Sequence, residues 1–380
     1  EVLTVEQFGR AALHGFAGAG DGVGEVKVLD RIGFDRTFSL GFFSLGQLTI
    51  GGKAFAAGGA RGLRARWTDY LRMARLDHMT KHVFILPGLV LAWMLREPPL
   101  EGAAWRIALG LASAVLVASA NYILNEWLDR AFDAFHPDKS GRPAVTTALS
   151  PLPVWSAYAG CSALGLWLAM QVGPLFFATG LLFWVSGVVY NVRPLRTKDL
   201  PYLDVLSESL NNPIRLMLGW AMLEESTVAP ASLLLAYWMG GAFLMGAKRL
   251  SEYREIAAGP GVGVLHRYRA SFRHYTEERL LISCFVYALL STLLLGFFLV
   301  KYRIEYLVAC PFVIAMFAHY LSLSLRSGSV AQKPEKLFRE KRLMAISGLT
   351  LVAVVTLSFV NLPRLKALTE PHYLKLERRP

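Results

Sequence analysis

The sequence has 380 residues, of which 54% are hydrophobic, and the apolar residues form long blocks with almost no charge. Soluble domains are about 45–50% apolar and lack such blocks. Blocks of about 20 apolar residues match the hydrocarbon thickness of a bilayer, which excludes an ordinary soluble domain. The net charge of +12 does not indicate nucleic-acid binding, because Lys and Arg lie between the apolar blocks, as loop charges of membrane proteins do.

The first segment, residues 1–64, is rich in glycine and shows no clean hydrophobic period. We interpret it as a loop-rich cytoplasmic arm with short strands around Val26–Leu29 and Gln47–Ile50. Its role cannot be read from the sequence. Residues 65–365 are predicted to form the transmembrane domain, and residues 366–380 a basic C-terminal tail.

The apolar blocks predict an all-α, polytopic membrane protein with nine spans. They lie at about residues 82–96, 104–124, 154–172, 174–192, 203–222, 228–247, 280–300, 304–325 and 343–362. The loops before span one and after even-numbered spans carry most of the Lys and Arg. The positive-inside rule therefore predicts a cytoplasmic N-terminus and an external C-terminus, in the inner membrane if the protein is bacterial.

The end of the second span carries a polar stripe at every fourth residue: Asn121, Asn125, Asp129 and Asp133. Residues four apart share one face of a helix. Two carboxylates one turn apart, with an amide oxygen above them, suit Mg²⁺, which prefers oxygen ligands and bridges carboxylates to phosphates. A solvated helix end is the alternative, but like charges at this spacing destabilise a helix unless something binds them.

Basic side chains follow in two loops on the same side of the membrane. Lys139 and Arg142 follow the second span and could hold phosphate oxygens, although ordinary loop charge gives the same pattern. After the fourth span, Tyr190 is followed by three cations on a proline-containing loop, which could neutralise a diphosphate: Arg193, Arg196 and Lys198.

Three further groups reach the same side. The fifth span has a polar face, which either lines a cavity or packs against other helices: Asp204, Glu208, Asn211 or Asn212, and Arg215. Lys248, Arg249 and Glu252 follow the sixth span, and Lys81 lies one turn inside the first. Together these charges imply a substrate with a phosphorylated head and a lipid tail. The sequence has no glycine-rich phosphate loop, Cys/His metal spacing or nucleophile elbow.

This arrangement resembles the UbiA superfamily of intramembrane prenyltransferases. The run from Asn125 to Asp133 resembles that family's first aspartate-rich motif, with Glu126 in place of the usual Asp. The segment Tyr190 to Lys198 resembles its tyrosine/basic motif. The family's second aspartate-rich motif is absent, and Lys248-Arg249-x-x-Glu252 stands in its place. That departure, with Lys81, is similar to the branch that transfers phosphoribose to a polyprenyl phosphate.

The resemblance implies an Mg²⁺-dependent enzyme whose substrate is a polyprenyl diphosphate, or a polyprenyl phosphate in the phosphoribosyl branch. Metal ligands are then Asn125, Asp129, Asp133 and Glu252. The catalytic set is Asp129, Asp133, Arg193, Lys198 and Tyr190. Diphosphate contacts are Lys81, Lys139, Arg142, Arg196 and Arg249, and the cavity is lined by Asn121, Asp204, Glu208, Asn212 and Arg215. The alternatives from another functional class are a transporter and a catalytically silent accessory subunit. The oligomeric state stays open.

Overall fold

The computed structural model describes residues 24–29, 35–40, 48–50, 53–55, 63–136, 139–259, 261–326, 328–329, 340–363 and 365. The chain divides into two units, Glu1–Gly62 and Leu63–Pro380. The predicted domain boundary, after residue 64, is two residues later. The predicted C-terminal tail lies outside the described residues.

The first unit contains two antiparallel pairs of short strands. β1 (Gly24–Leu29) pairs with β2 (Asp35–Leu40), and Val26 lies opposite Phe38. β3 (Leu48–Ile50) pairs with β4 (Lys53–Phe55). The two strands expected from the sequence correspond to β1 and β3. Apart from Leu63–Arg64, the rest of the predicted arm lies outside the described residues.

The second unit is almost entirely helical. Its only strands among the described residues are β5 (Leu63–Arg64) and β6 (Thr147–Ala148), which pair in parallel. The α-helices are α1 (Trp67–Met73), α2 (Leu86–Arg96), α3 (Ala103–Asp133), α4 (Pro143–Thr146), α5 (Pro151–Val172), α6 (Pro174–Asn191), α7 (Leu203–Ser209), α8 (Asn211–Ala221), α9 (Ala231–Ala258), α10 (Val262–Tyr268), α11 (Glu277–Tyr302), α12 (Cys310–Ser324) and α13 (Lys341–Phe359). Four 3₁₀ segments join them: Leu76–Ile85, Thr197–Asp199, Ala270–His274 and Ile304–Ala309.

Within the described part of the chain, six helical segments are long and apolar enough to cross a membrane. They are α3, α5, α6, α11, Ile304–Ser324 and α13. The predicted all-α polytopic class is confirmed, whereas the count of nine spans stays a prediction. The other three predicted spans, at about residues 82–96, 203–222 and 228–247, are not single long apolar helices.

Two of those three spans are interrupted near a proline. The first is a 3₁₀ segment followed by α2, in which Pro87 occupies the first turn. The fifth is divided at Leu210 into α7 and α8, with Pro213 in the first turn of α8. Proline lacks the N–H that a continuous helix needs, so it is tolerated only in a first turn. The third, α9, continues to Ala258 and carries charges in its final turns.

The helices pack mainly as the pairs α3 with α5, α9 with α11, and α2 with α8. The last pair is the closest. A Cβ atom on Gly88 would lie 1.9 Å from the backbone O of Leu216, and one on Gly219 would lie 2.1 Å from that of Ile85. Glycine therefore allows backbone contact between these helices, as small residues do at intramembrane interfaces.

The outward faces of the helices are strongly apolar. Large side chains such as Leu152, Leu351 and Phe359 are 76%, 64% and 77% exposed. Extensive exposed apolar surface is unfavourable in water and is favourable against lipid tails. The burial pattern thus agrees with the membrane-spanning assignment of α5 and α13.

Candidate active site

A cavity of about 1410 Å³ lies within the helical unit. Its lining changes along α9, where Lys248, Arg249 and Glu252 lie near one end of the helix and Leu233 and Ala236 near the other. Fifteen residues of α-helix span about 22 Å, so the polar and apolar parts of the lining are well separated. Side chains of α12, including Val313 and Phe317, extend the apolar part.

The stripe predicted on the second span lies on one helix, α3, which continues nine residues beyond the predicted span. Asp129 is the centre of its contacts. Nζ of Lys198 lies 2.6 Å from Oδ1 of Asp129, and NH2 of Arg196 donates to the same oxygen at 2.8 Å. Asn125 donates to Oδ2 at 3.2 Å. The loop after α6 and the end of α3 thus form a single charged cluster.

Asn191, at the end of α6, completes this cluster. Its Oδ1 accepts hydrogen bonds from Asn125 at 2.6 Å and from Lys198 at 2.7 Å. NH1 of Arg196 donates to its backbone O at 3.2 Å. Asn191 was not among the residues predicted for the site, although it directly follows Tyr190 and lies at the boundary of the span.

Asp133 binds the basic loop that follows α3. Its Oδ2 accepts from NH1 of Arg142 at 2.5 Å, and Nζ of Lys139 lies 3.9 Å from Oδ1. Glu126 is 2% exposed and accepts the backbone N–H of Ala144 at 3.2 Å. Glu126, which stands where the family motif has the shorter Asp, therefore binds the first turn of α4. This contact positions the loop that carries Arg142.

A second cluster surrounds Arg249, which is almost fully buried. Its guanidinium contacts three carboxylates: Glu208 at 2.7 Å, Asp204 at 3.2 Å and Glu252 at 3.3 Å. Glu208 also accepts a hydrogen bond from the hydroxyl of Tyr190 at 3.0 Å. The structure thus brings the polar face predicted on the fifth span together with the charged group predicted after the sixth span.

The segment between α9 and α11 contributes residues that sequence reasoning missed. Asp204 is fully buried and accepts hydrogen bonds from Tyr275 at 2.5 Å and Ser271 at 3.1 Å, and Arg269 lies 3.4 Å from it. Arg269 lines the cavity. The spacing of these three residues is not periodic, so only the charge of Arg269 could have suggested one of them. Glu252 similarly gains an unforeseen partner, Nε2 of His136, at 2.9 Å.

Burial changes the proton affinity of several loop groups. Burial lowers the pKa of Lys198 to about 8, although the adjacent Asp129 opposes the shift. Burial also lowers the pKa of Lys139 to about 7, with Glu252 opposing and Arg269 assisting. It lowers the pKa of His136 and raises that of Tyr275, the latter reinforced by the negative charge of Asp204. The proton affinity of these groups therefore depends both on burial and on the charges of their neighbours.

The deeper wall of the cavity holds the remaining predicted lining residues. Asn121 donates to the backbone O of Phe183 at 2.9 Å, and the guanidinium of Arg215 lies 5.0 Å from the centre of the Phe183 ring. Asn212 lies one turn before Arg215 and lines the same cavity. Lys81 also lines it, with its ammonium 5.5 Å from the ring of Tyr122.

The predicted residues are not all at the cavity surface. Arg193 is exposed and lies on a separate shallow depression with Arg196. Asp133, Lys198 and Asp204 stand behind the lining, where they contact residues that reach the cavity. The structure therefore brings Lys198 to Asp129 and keeps Arg193 apart from both.

Only some of the residues predicted to bind a divalent cation lie where they could do so. Among the described residues, no three His, Cys, Asp or Glu side chains form a cluster that could hold a metal. Glu252 is bound to His136 and Arg249 instead of facing Asp129. Asn125 and Asp129, which share a face and line the cavity, fit a Mg²⁺ ion whose other ligands come from substrate phosphates and water.

A bundle of apolar helices with a charged cavity defines this chain as an integral membrane protein with an internal binding site. The model of the UbiA prenyltransferase family matches residues 83–361. The chain therefore belongs to the UbiA prenyltransferase family.

Individual relatives agree with this assignment. The chain is 27% identical over 199 residues to protoheme IX farnesyltransferase of Alkalihalophilus pseudofirmus, covering 51% of this chain and 62% of that one. It is 30% identical over 189 residues to nodulation protein NoeC of Azorhizobium caulinodans, covering 49% and 58%. The matches therefore span less than two thirds of these relatives. A UbiA homolog from Archaeoglobus fulgidus bound to GPP and Mg²⁺ has the same fold, with a TM-score of 0.58, 23% identity, and coverage of 77% of this chain and all of that one.

Proposed function

We propose that this protein transfers a polyprenyl group from a polyprenyl diphosphate to an acceptor within the bilayer, with Mg²⁺. The observation that carries the proposal is the cavity, which joins a cationic end to an apolar end. Nine Lys or Arg and five Asp or Glu side chains line it. This excess of positive charge suits a diphosphate, and the apolar lining suits an isoprenoid tail. The relative named as a protoheme IX farnesyltransferase supports the same reaction class.

In this proposal, the charged cluster at Asp129 holds the diphosphate. Asn125 and Asp129 would hold Mg²⁺, which would neutralise negative charge on the phosphate oxygens. Asp133 positions Arg142 and Lys139 beside them. The Mg²⁺ and GPP bound to the Archaeoglobus fulgidus relative support this choice of ion and substrate class.

The basic residues act on the leaving group. When the allylic C–O bond breaks, its electron pair stays on the diphosphate oxygen and negative charge grows there. Cations already fixed at the cavity surface, such as Arg249 and Arg142, stabilise that charge without reorganisation, which is commonly the largest catalytic contribution. The allylic cation is attacked by the acceptor nucleophile, and the acceptor's proton leaves to solvent or to a nearby base.

A second candidate is phosphoribosyl transfer to a polyprenyl phosphate. The observation that favours it is the contact of Glu252 with Arg249 and His136, which leaves one carboxylate motif for metal instead of two. In this reaction a phosphate oxygen of the lipid attacks C1 of ribose, and pyrophosphate leaves. The same metal and basic residues would serve both reactions.

The deciding experiment incubates the purified full chain and Mg²⁺ with radiolabelled polyprenyl diphosphate and a panel of acceptors, in parallel with labelled phosphoribosyl diphosphate and polyprenyl phosphate. We expect label from the prenyl donor to appear in the acceptor, and none after chelation of Mg²⁺. Label transferred only from the phosphoribosyl donor would replace the first candidate with the second. If neither donor reacts although both bind, the chain is an accessory subunit; uptake of substrate into proteoliposomes without transfer would identify a transporter.

A further inference from the structure

Arg215 is a buried arginine on the cavity wall without a carboxylate partner. Arg215 is 7% exposed, and the ionisable side chains of the described chain that act on its guanidinium include no Asp or Glu. Its hydrogen bond runs from NH1 to the backbone O of Asn211 at 3.4 Å, and its Nε has no partner among the described residues. The ionisable side chains that act on it are those of Tyr122, Tyr237 and His82, none of which is an anion.

Burial of the Arg215 cation in this environment is energetically unfavourable unless an anionic ligand binds beside it. An ionised group buried among helices is unfavourable when unpaired, and such residues inside membrane proteins mark binding sites by default. By contrast, Arg249 is equally buried but contacts three carboxylates. The negative partner of Arg215 is therefore expected from outside the protein, through the cavity that it lines.

The position of Arg215 separates it from the diphosphate cluster. Its guanidinium lies over the ring of Phe183. Phe183 precedes Asn191 by eight residues on α6, about 12 Å along a helix. Asn191 belongs to the cluster at Asp129. An anion at Arg215 would therefore lie farther toward the apolar end of the cavity than phosphates held at Asp129.

We propose that Arg215, assisted by Asn212, binds an anionic oxygen group on the accepting substrate. The group is a carboxylate or a phosphate monoester. The guanidinium lies over the ring of Phe183, its Nε has no hydrogen-bond partner among the described residues, and an arginine can donate two parallel hydrogen bonds to such a group. The inference rests on the proposed function, since it gives the second substrate its recognition element.

Binding of simple anions tests the site without catalysis. The purified full chain in detergent is titrated with benzoate and with undecaprenyl monophosphate, each compared with its uncharged counterpart, benzamide or undecaprenol, and Kd is obtained from thermal-shift curves. We expect at least one anion to bind at least tenfold more tightly than its counterpart. Arg215→Met should abolish that preference, whereas Arg215→Lys should retain part of it. The anion preferred identifies the acceptor as a carboxylate or a lipid phosphate.

The control is Arg106→Met, which removes an arginine that pairs with Glu225 outside the cavity. It should keep the preference for the anion. The ligand-free Tm of Arg215→Met should equal or exceed that of the wild type, because an unpaired buried charge has been removed. A preference that survives in Arg215→Met, no preference for either anion, or a Tm of Arg215→Met well below that of Arg106→Met overturns the inference. These readouts do not depend on transfer, so failure of the proposed reaction is detected separately.

Discussion

Lys198 and Asp129 are 69 residues apart in the chain, and Nζ of Lys198 lies 2.6 Å from Oδ1 of Asp129. The contact joins the loop after α6 to the last turns of α3. It unites the two motifs that resemble those of the family, and each was visible in the sequence only separately. The contact places the ammonium of Lys198 beside Asp129, one of the residues proposed to bind Mg²⁺.

Replacing Lys198 tests the role of this charge in catalysis. Lys198→Met should lower kcat for prenyl transfer about 10–100-fold, the loss typical when a residue that positions a metal ligand is removed. The measurement is steady-state transfer of radiolabelled prenyl group by purified protein. Lys301→Met, an exposed lysine in the last turn of α11, is the control and should retain wild-type kcat. Equal loss in both variants would show that the effect is not specific to the site.

Neutralising Asp129 tests the metal site. Asp129→Asn should abolish transfer at all Mg²⁺ concentrations, because the amide lacks the charge that holds the ion. Asp133→Asn should also abolish it, since Arg142 then loses its carboxylate partner. Both activity and Tm are measured across a Mg²⁺ titration. The control is Glu225→Gln, which removes the partner of Arg106 near the opposite end of α3. Substantial turnover in both Asp variants would move the metal site elsewhere.

Arg249 is expected to be essential for stability. Arg249→Met leaves Asp204, Glu208 and Glu252 without their shared cation, and breaking a buried ion pair from one side costs about 3–5 kcal/mol. The free energy of unfolding is measured by denaturant titration in micelles.

The control for Arg249 lies on the same helix. Arg254 pairs with Glu277 at the surface, and exposed pairs contribute about 0–1 kcal/mol. Arg254→Met should therefore change the free energy of unfolding only slightly. Similar losses in the two variants would contradict the network described around Arg249.

The contact of α2 with α8 predicts a steric effect. Gly88→Ala should lower stability by about 1–3 kcal/mol, because the added methyl group overlaps the backbone of Leu216. Gly160→Ala, on the exposed face of α5 with no atom within 4 Å of its Cβ position, should be neutral or slightly stabilising. Thermal unfolding of the two purified variants checks this, and an unchanged Tm for Gly88→Ala would argue against close packing of these helices.

The predicted orientation is testable by labelling. In a background where Cys161, Cys284 and Cys310 are replaced by Ser, Glu225→Cys should react with a membrane-impermeant maleimide from outside intact cells. Ala148→Cys, an exposed position in the loop after α3, should react only after the membrane is opened. The reverse pattern would invert the topology given by the positive-inside rule.

Much of the fold could be predicted because hydrophobic blocks are local signals. The blocks that became α3, α5, α6, α11 and α13 were each readable from about 20 consecutive residues. The breaks at Leu210 and before α2 were harder to predict from the sequence. A proline is tolerated in the first turn of a helix but not in its interior. The sequence alone does not show whether a given proline begins a new helix or interrupts a continuous one.

The same distinction between local sequence signals and tertiary contacts applies to the site. By itself the sequence determined the membrane class, the stripe from Asn121 to Asp133 and the basic loops, because composition and four-residue spacing depend only on neighbours along the chain. Only the tertiary structure decided that Glu252 pairs with His136 and Arg249, and that Arg215 has no carboxylate partner in the described chain. Such pairings depend on distances between separate helices, which are set by packing at contacts such as Gly88 with Leu216 and leave no periodic trace in the sequence.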